Sequence, residues 1–250
     1  QSADAVKEYT IAVKLDPNDY PEHIALARAE LAAGNASAAE PEFREALKLK
    51  INDKEAELGL AQSLIEQKKS ADAAAALDDY LRRNPNDVKA HVLRASLLTD
   101  LGRNDEALAE LDRASKGAIE TLEALKLRGV LYYREKDFGK AANALQKAAV
   151  LAPQDAGIRA RLGHALLETK NYAGAVQELN KALRFDPSSN DALRDLVAAE
   201  YLGKNYPATL AALNLLEQHE KPNPGAWFVR ATCYDHLGQA KTALDAYQKF

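Results

Sequence analysis

Apolar residues recur in this chain at two spacings, a helical one within short segments and a longer one between them. From Ala156 to Ser189 the chain reads AGIRARLGHALLETKNYAGAVQELNKALRFDPSS. Leu162, Leu166, Tyr172, Ala175, Leu179 and Ala182 mark two amphipathic stretches in it, separated by a polar turn. Apolar residues three and four apart turn one face of a helix towards a neighbour. The 34 residues before it, Leu122 to Asp155, repeat the scheme with Tyr132, Phe138, Ala141, Leu145 and Ala148. A fixed period of this length predicts an array of helix pairs. The period holds without insertion or deletion when repeats start at Tyr20, Lys54, Val88, Leu122, Ala156, Asn190 and Pro224.

Counted from those starts, position 8 is Ala27, Ala61, Ala95, Gly129, Gly163, Val197 and Ala231. Position 20 is Ala39, Ala73, Ala107, Ala141, Ala175, Thr209 and Ala243, and position 24 is Phe43, Leu77, Leu111, Leu145, Leu179, Leu213 and Tyr247. The small residues are expected to let the two helices of one repeat approach closely. The large residue at 24 is expected to fill the space between repeats. Turns fall near positions 15 to 17, as in Gly34-Asn35, Gly102-Arg103-Asn104, Lys170-Asn171 and Gly238-Gln239. Gly and Asn suit the left-handed backbone that closes a helix. Position 32 is Pro85, Pro153 and Pro187 in three repeats, where proline ends the second helix, and Ile51, Ile119 and Lys221 in three others. The sixth repeat is irregular, with Val197, Pro207, Thr209 and Leu216, and leads into Glu220-Lys221-Pro222-Asn223-Pro224. A rigid turn is expected there, with a change of superhelical pitch as the alternative.

These positions resemble the tetratricopeptide repeat, W-x2-L-G-x2-Y…A-x3-F…P. Trp227, Tyr234, Ala243 and Tyr247 carry the resemblance in the last repeat, and Leu162, Gly163, Ala175 and Pro187 in the fifth. Most repeats lack the first-helix Trp and have His23, Glu57, His91, Leu125, Arg159 or Leu193 in its place. The resemblance implies an all-α fold, an α-solenoid built as a right-handed superhelix of helix-turn-helix units. Residues 1–19 are expected to form the second helix of a truncated repeat, with Ala5, Tyr9, Ala12 and Pro17 at positions 20, 24, 27 and 32. Residues 20–250 are expected to form seven units, the last truncated. Both ends read as cut from a longer protein, and uncapped ends of such an array favour self-association.

Composition narrows the function. Thirty-seven acidic and 33 basic residues give a net charge of −4, which offers no general attraction for nucleic acid. One cysteine, Cys233, excludes an internal disulfide framework or a multi-cysteine metal site, and position 10 makes it a small apolar core residue. No apolar run is long enough to span a membrane. The chain reads as soluble, cytoplasmic or periplasmic, and its Ala-rich, in-register repeats point to a bacterial source. It has no glycine-rich phosphate loop, H-E-x-x-H or G-x-S-x-G. The histidines are dispersed, and His23 and His91 fall at position 4, a packing position. No catalytic residue, metal or cofactor is expected, and the chain does not read as an enzyme.

The resemblance also implies that the first helices line a concave face, with positions 2, 5, 6, 9, 12 and 13 turned into it. These positions supply Lys126, Val130, Tyr133 and Arg134, then Arg161 and His164, then Arg194 and Tyr201. They form a cationic stripe with interleaved tyrosine, and Glu123, Glu168, Asp191 and Asp195 lie beside it. An ordinary solvated face is the alternative reading of that stripe. In some relatives a C-terminal carboxylate is held by Lys, Asn and Arg across three repeats; those positions carry Val92, Ser96, Leu127, Gly157 and Arg161 here from the third repeat, and Lys126, Val130, Arg161, Asp191 and Asp195 from the fourth, and neither set matches, which argues against a chaperone-tail clamp. The expected function is a non-enzymatic scaffold that binds a peptide or helix of a partner protein, of acidic character, in its groove. The alternative is the recognition arm of a larger enzyme whose catalytic domain lies elsewhere.

Overall fold

The structure is a computed structural model that describes residues 2–116 and 120–250; the position-32 expectation at Ile119 lies outside them. Fifteen α-helices and no strand occur among the described residues. The chain forms two compact units, Gln1–Glu120 and Thr121–Phe250.

The first unit contains α1 (Ser2–Leu15), α2 (Tyr20–Ala32), α3 (Ala36–Leu49), α4 (Lys54–Glu66), α5 (Ser70–Arg83), α6 (Val88–Asp100) and α7 (Asn104–Ser115). The second contains α8 (Leu122–Arg134), α9 (Phe138–Leu151), α10 (Ala156–Glu168), α11 (Tyr172–Phe185), α12 (Asn190–Leu202), α13 (Tyr206–Leu216), α14 (Pro224–His236) and α15 (Ala240–Tyr247). Within each unit a helix packs on the next one in sequence, and α2·α4, α4·α6 and α10·α12 also touch. Contacts confined to near neighbours are the mark of an array in which each piece is stabilised by the pieces beside it.

Local chemistry explains the boundaries. Asp53, Asp87, Thr121, Asp155, Ser189 and Asn223 each accept a hydrogen bond from the backbone N–H three residues on, capping α4, α6, α8, α10, α12 and α14. The turn inside each pair has one left-handed residue: Gly34, Lys68, Gly102, Lys136, Lys170, Lys204 or Gly238, with φ between 59° and 80°. Around Lys170 its own N–H donates to the Leu167 carbonyl at 2.9 Å and the Asn171 N–H to the Leu166 carbonyl at 2.8 Å. The same two bonds recur at the other six turns and satisfy carbonyls left over at the helix end. Asparagine takes the left-handed role at Asn52, between α3 and α4, with φ of 58°, but the expectation that it does so in the turns inside the pairs is corrected. Asn35 and Asn171 have φ of −96° and −84°, and Asn171 instead caps α11 by accepting from the Gly174 N–H at 3.1 Å.

Packing follows from side-chain size. A Cβ on Gly163 would lie 2.5 Å from Leu179 Cγ, and one on Gly129 would lie 2.8 Å from Leu145 Cδ2. Both are contacts between the two helices of one pair. A Cβ on Gly59 of α4 would lie 2.3 Å from Phe43 of α3, a contact between successive pairs. The large residue at position 24 therefore fills space within a pair as well as between pairs, which widens the role expected from the sequence.

Position 4 closes some pairs with a polar clasp. His23 Nδ1 lies 2.6 Å from Glu42 and its Nε2 lies 3.0 Å from the Pro17 carbonyl oxygen. His91 repeats this with Glu110 at 2.6 Å and the Pro85 carbonyl at 3.0 Å. Arg159 does the same with Glu178 and the Pro153 carbonyl, both at 2.6 Å. Where position 4 is Leu125 or Leu193, position 23 is Ala144 or Ala212 and no clasp can form.

Candidate partner-binding face

In the second unit the residues expected on the inner face lie on α8, α10 and α12. Tyr133, in the last turn of α8, packs edge-to-face on Phe138, the first residue of α9, with ring centroids 5.3 Å apart. The His164 ring of α10 lies 5.2 Å from Tyr133 and 6.1 Å from Phe138. His164 Nδ1 in turn lies 2.9 Å from Asp195 Oδ2 of α12, and its Nε2 lies 3.8 Å from Glu168 Oε1. One aromatic and acid–base cluster thus ties four helices together.

Burial raises the Asp195 carboxyl above the ordinary aspartate range; His164 works against this, while Asp191 and Glu168 add to it. Burial also raises the Tyr133 phenol, helped by Asp195 and Glu168 and opposed by Arg161. Arg161 lies on α10, three residues before His164. It is exposed and makes no ion pair among the described residues.

The other predicted residues are placed differently. Lys126 Nζ lies 3.4 Å from Asp155 Oδ2, the carboxylate that caps α10. Arg194 meets Asp191 at 2.8 Å and grips Glu220 with two nitrogens, the longer contact 3.2 Å. Val130 is half-buried on α8 and Arg134 is exposed at its end. Tyr201 belongs to a second cluster, 6.4 Å from Tyr206, which stacks at 4.3 Å on His236 of α14. The structure brings Tyr133 and His164 into ring contact, with Arg161 exposed on the same helix as His164, while carboxylates engage Lys126, His164 and Arg194.

Sequence reasoning read Phe138 only as a recurring apolar position and did not single out Tyr206 or His236. Phe138 and Tyr206 both begin a second helix, at position 17, and an aromatic recurs there as Tyr172 in the fifth repeat. That recurrence was the available signal. Among the described residues no group of three or more His, Cys, Asp or Glu is arranged to hold a metal ion, and no helix is long and apolar enough to cross a membrane.

Helix pairs in series, packed within each unit on the pairs beside them and displaying side chains from successive first helices, define an all-α solenoid of the repeat-protein class. The chain belongs to the tetratricopeptide repeat family: one family model of that description matches residues 1–56, 58–118 and 93–156, and a second matches residues 132–200. No curated protein matches the sequence.

Solved structures of similar fold include the APC/C hetero-tetramer Cut9-Hcn1, with a TM-score of 0.68 and 18% identity over 93% of this chain and 46% of that one. This chain thus spans less than half of that protein. PilF of Pseudomonas aeruginosa matches with a TM-score of 0.56 and 19% identity over 76% of this chain and 87% of that one. A thermophilic TPR protein of Thermus thermophilus matches with a TM-score of 0.59 and 22% identity over 72% of this chain and 98% of that one.

Proposed function

We propose that this chain is a non-enzymatic scaffold that binds an acidic peptide or helix of a partner protein on the face formed by α8, α10 and α12. Repeats of this family generally mediate protein–protein interaction. The observation that carries the finer reading is Arg161, exposed and without an ion pair among the described residues beside the Tyr133–His164 cluster, on a face where neighbouring cations are engaged by carboxylates. A guanidinium binds a carboxylate with two parallel hydrogen bonds. Tyrosine adds contact area at low entropic cost. Tyr133, held by Phe138 and His164, is pre-positioned for that work. In this reading α2 to α15 make seven two-helix repeats starting at Tyr20, Lys54, Val88, Leu122, Ala156, Asn190 and Pro224, and α1 takes the place of a second helix ahead of them.

Affinity capture with the parent and with Arg161→Glu, followed by mass spectrometry, tests the proposal. The variant is expected to lose at least one specific partner while keeping its thermal midpoint, because Arg161 supports no packing. Unchanged capture of every partner removes this face from consideration.

A further inference from the structure

A cleft of about 630 Å³ opens between α11, the start of α12 and the end of α13. The α11 helix runs for 14 residues, while α13 ends after 11, at Leu216, and the turn beyond it adds Gln218 and His219 to the lining. Leu193 and Leu196, both buried in α12, form the floor, with Leu215 at the edge 47% exposed. Residues Val176 to Arg184 of α11 form the long wall, a length of about 12 Å at the helical rise, room for two turns of a docked helix.

The charge of this cleft is one-sided. Lys181, Arg184 and His219 line it together with neutral amides, and no aspartate or glutamate does, in a chain whose net charge is −4. Lys181 shares the Glu178 carboxylate with Arg159, so one anion serves two cations. Arg184 makes no ion pair among the described residues. We infer that the cleft docks an acidic amphipathic segment of a partner protein, its aliphatic side chain on Leu193, Leu196 and Leu215 and its carboxylate on Arg184. This surface is separate from the Arg161 face: α12 turns Leu193 and Leu196 into the cleft and Asp195 towards His164.

The test uses the whole chain and a labelled synthetic helical peptide of about 16 residues, with Leu at i, i+3, i+4 and i+7 and Glu at the positions between. A counterpart carries Lys in place of Glu, and binding is read by fluorescence anisotropy. The Glu peptide is expected to bind saturably and the Lys peptide not at all. Arg184→Glu should weaken binding about tenfold or more, and Leu215→Gln should also weaken it. Arg161→Glu should leave it unchanged. Both cleft substitutions are at exposed positions, and circular dichroism melts verify the fold. Absence of saturable binding by the Glu peptide overturns the inference, as does equal binding by the parent and both cleft variants. Loss of binding in Arg161→Glu but not in Arg184→Glu assigns the peptide to the other face and also overturns it. So does a cleft that takes dodecanoate but not the peptide.

Discussion

Alanine at Gly59 is expected to destabilise the first compact unit, although alanine is the better helix former. Glycine in the middle of α4 costs about 1 kcal/mol relative to alanine. Against that gain stands the Phe43 ring, itself only 1% exposed. The new methyl would sit 2.3 Å from both Cε1 and Cζ and 2.8 Å from Cε2. Carbon atoms rest at about 3.5–4.0 Å, so an enclosed ring must move by more than about 1 Å. Overpacking of that kind costs about 1–3 kcal/mol, leaving a net loss near 1 kcal/mol. Phe43→Leu removes the ring edge and by itself costs stability through the cavity it opens. In that background Gly59→Ala has no ring to displace and recovers its helical advantage of about 1 kcal/mol. The two residues should therefore couple by about 2 kcal/mol in a double-mutant cycle. Urea denaturation followed by far-ultraviolet circular dichroism gives the four values. If Gly59→Ala shifts stability by the same amount with and without Phe43, the packing argument is wrong.

Three further outcomes follow from the same geometry. Lys170→Gly should raise stability by about 1 kcal/mol, because Lys170 sits at φ 62°, where a Cβ is unfavourable; a denaturation midpoint at or below the parent's would contradict this. For His23, burial pushes the pKa down, but the Pro17 carbonyl and Glu42 outweigh it, with Glu45 adding to the rise, so the folded value lies above the ordinary 6.5. Its stabilisation is then complete below that value and lost as pH rises through the folded one. The thermal midpoint should fall as pH rises above about 6.5, and His23→Arg should flatten that fall, because Arg159 makes the same clasp in its own repeat and an arginine side chain stays charged across this range. An equally steep profile in the variant would refute the clasp. Ala175→Leu should cost about 1–3 kcal/mol, since Ala175 is fully buried, and an unchanged urea midpoint would show the site to be more accommodating than its burial implies.

Much of the fold was legible because the packing rule is written in residue size. Ala175 and Leu179 show their roles by recurrence, and the helical spacing of their neighbours defines the buried face. Other features were hidden for physical reasons. Four of the seven left-handed turn residues are lysines, which carry no turn signal of their own and are held there by the helix-end hydrogen bonds. The caps at Asp53, Asp87 and Asp155 were visible as a polar residue every 34 positions, but a lone aspartate has many roles and only the amide it accepts from identifies it. The His23 and His91 clasps each need a carbonyl, a ring and a carboxylate from three elements, so position 4 alone could reveal packing but not the bonds. At the candidate site, Tyr133 and His164 were readable from adjacent repeats. The commitment of Arg194 to Glu220 was not, because Glu220 lies in the irregular segment after α13. The cleft beside α11 was hidden for the same reason: its lining takes Gln218 and His219 from that segment.

The most direct test of the central claim is the affinity of the captured partner's acidic segment for three forms of the chain: parent, Arg161→Glu and Arg161→Lys. If Arg161 grips a carboxylate through two hydrogen bonds, calorimetry should show an affinity loss of about tenfold or more for the glutamate variant and an intermediate loss for lysine, which keeps the charge but not the planar fork. Equal affinity in all three forms would contradict an acidic partner held on this face.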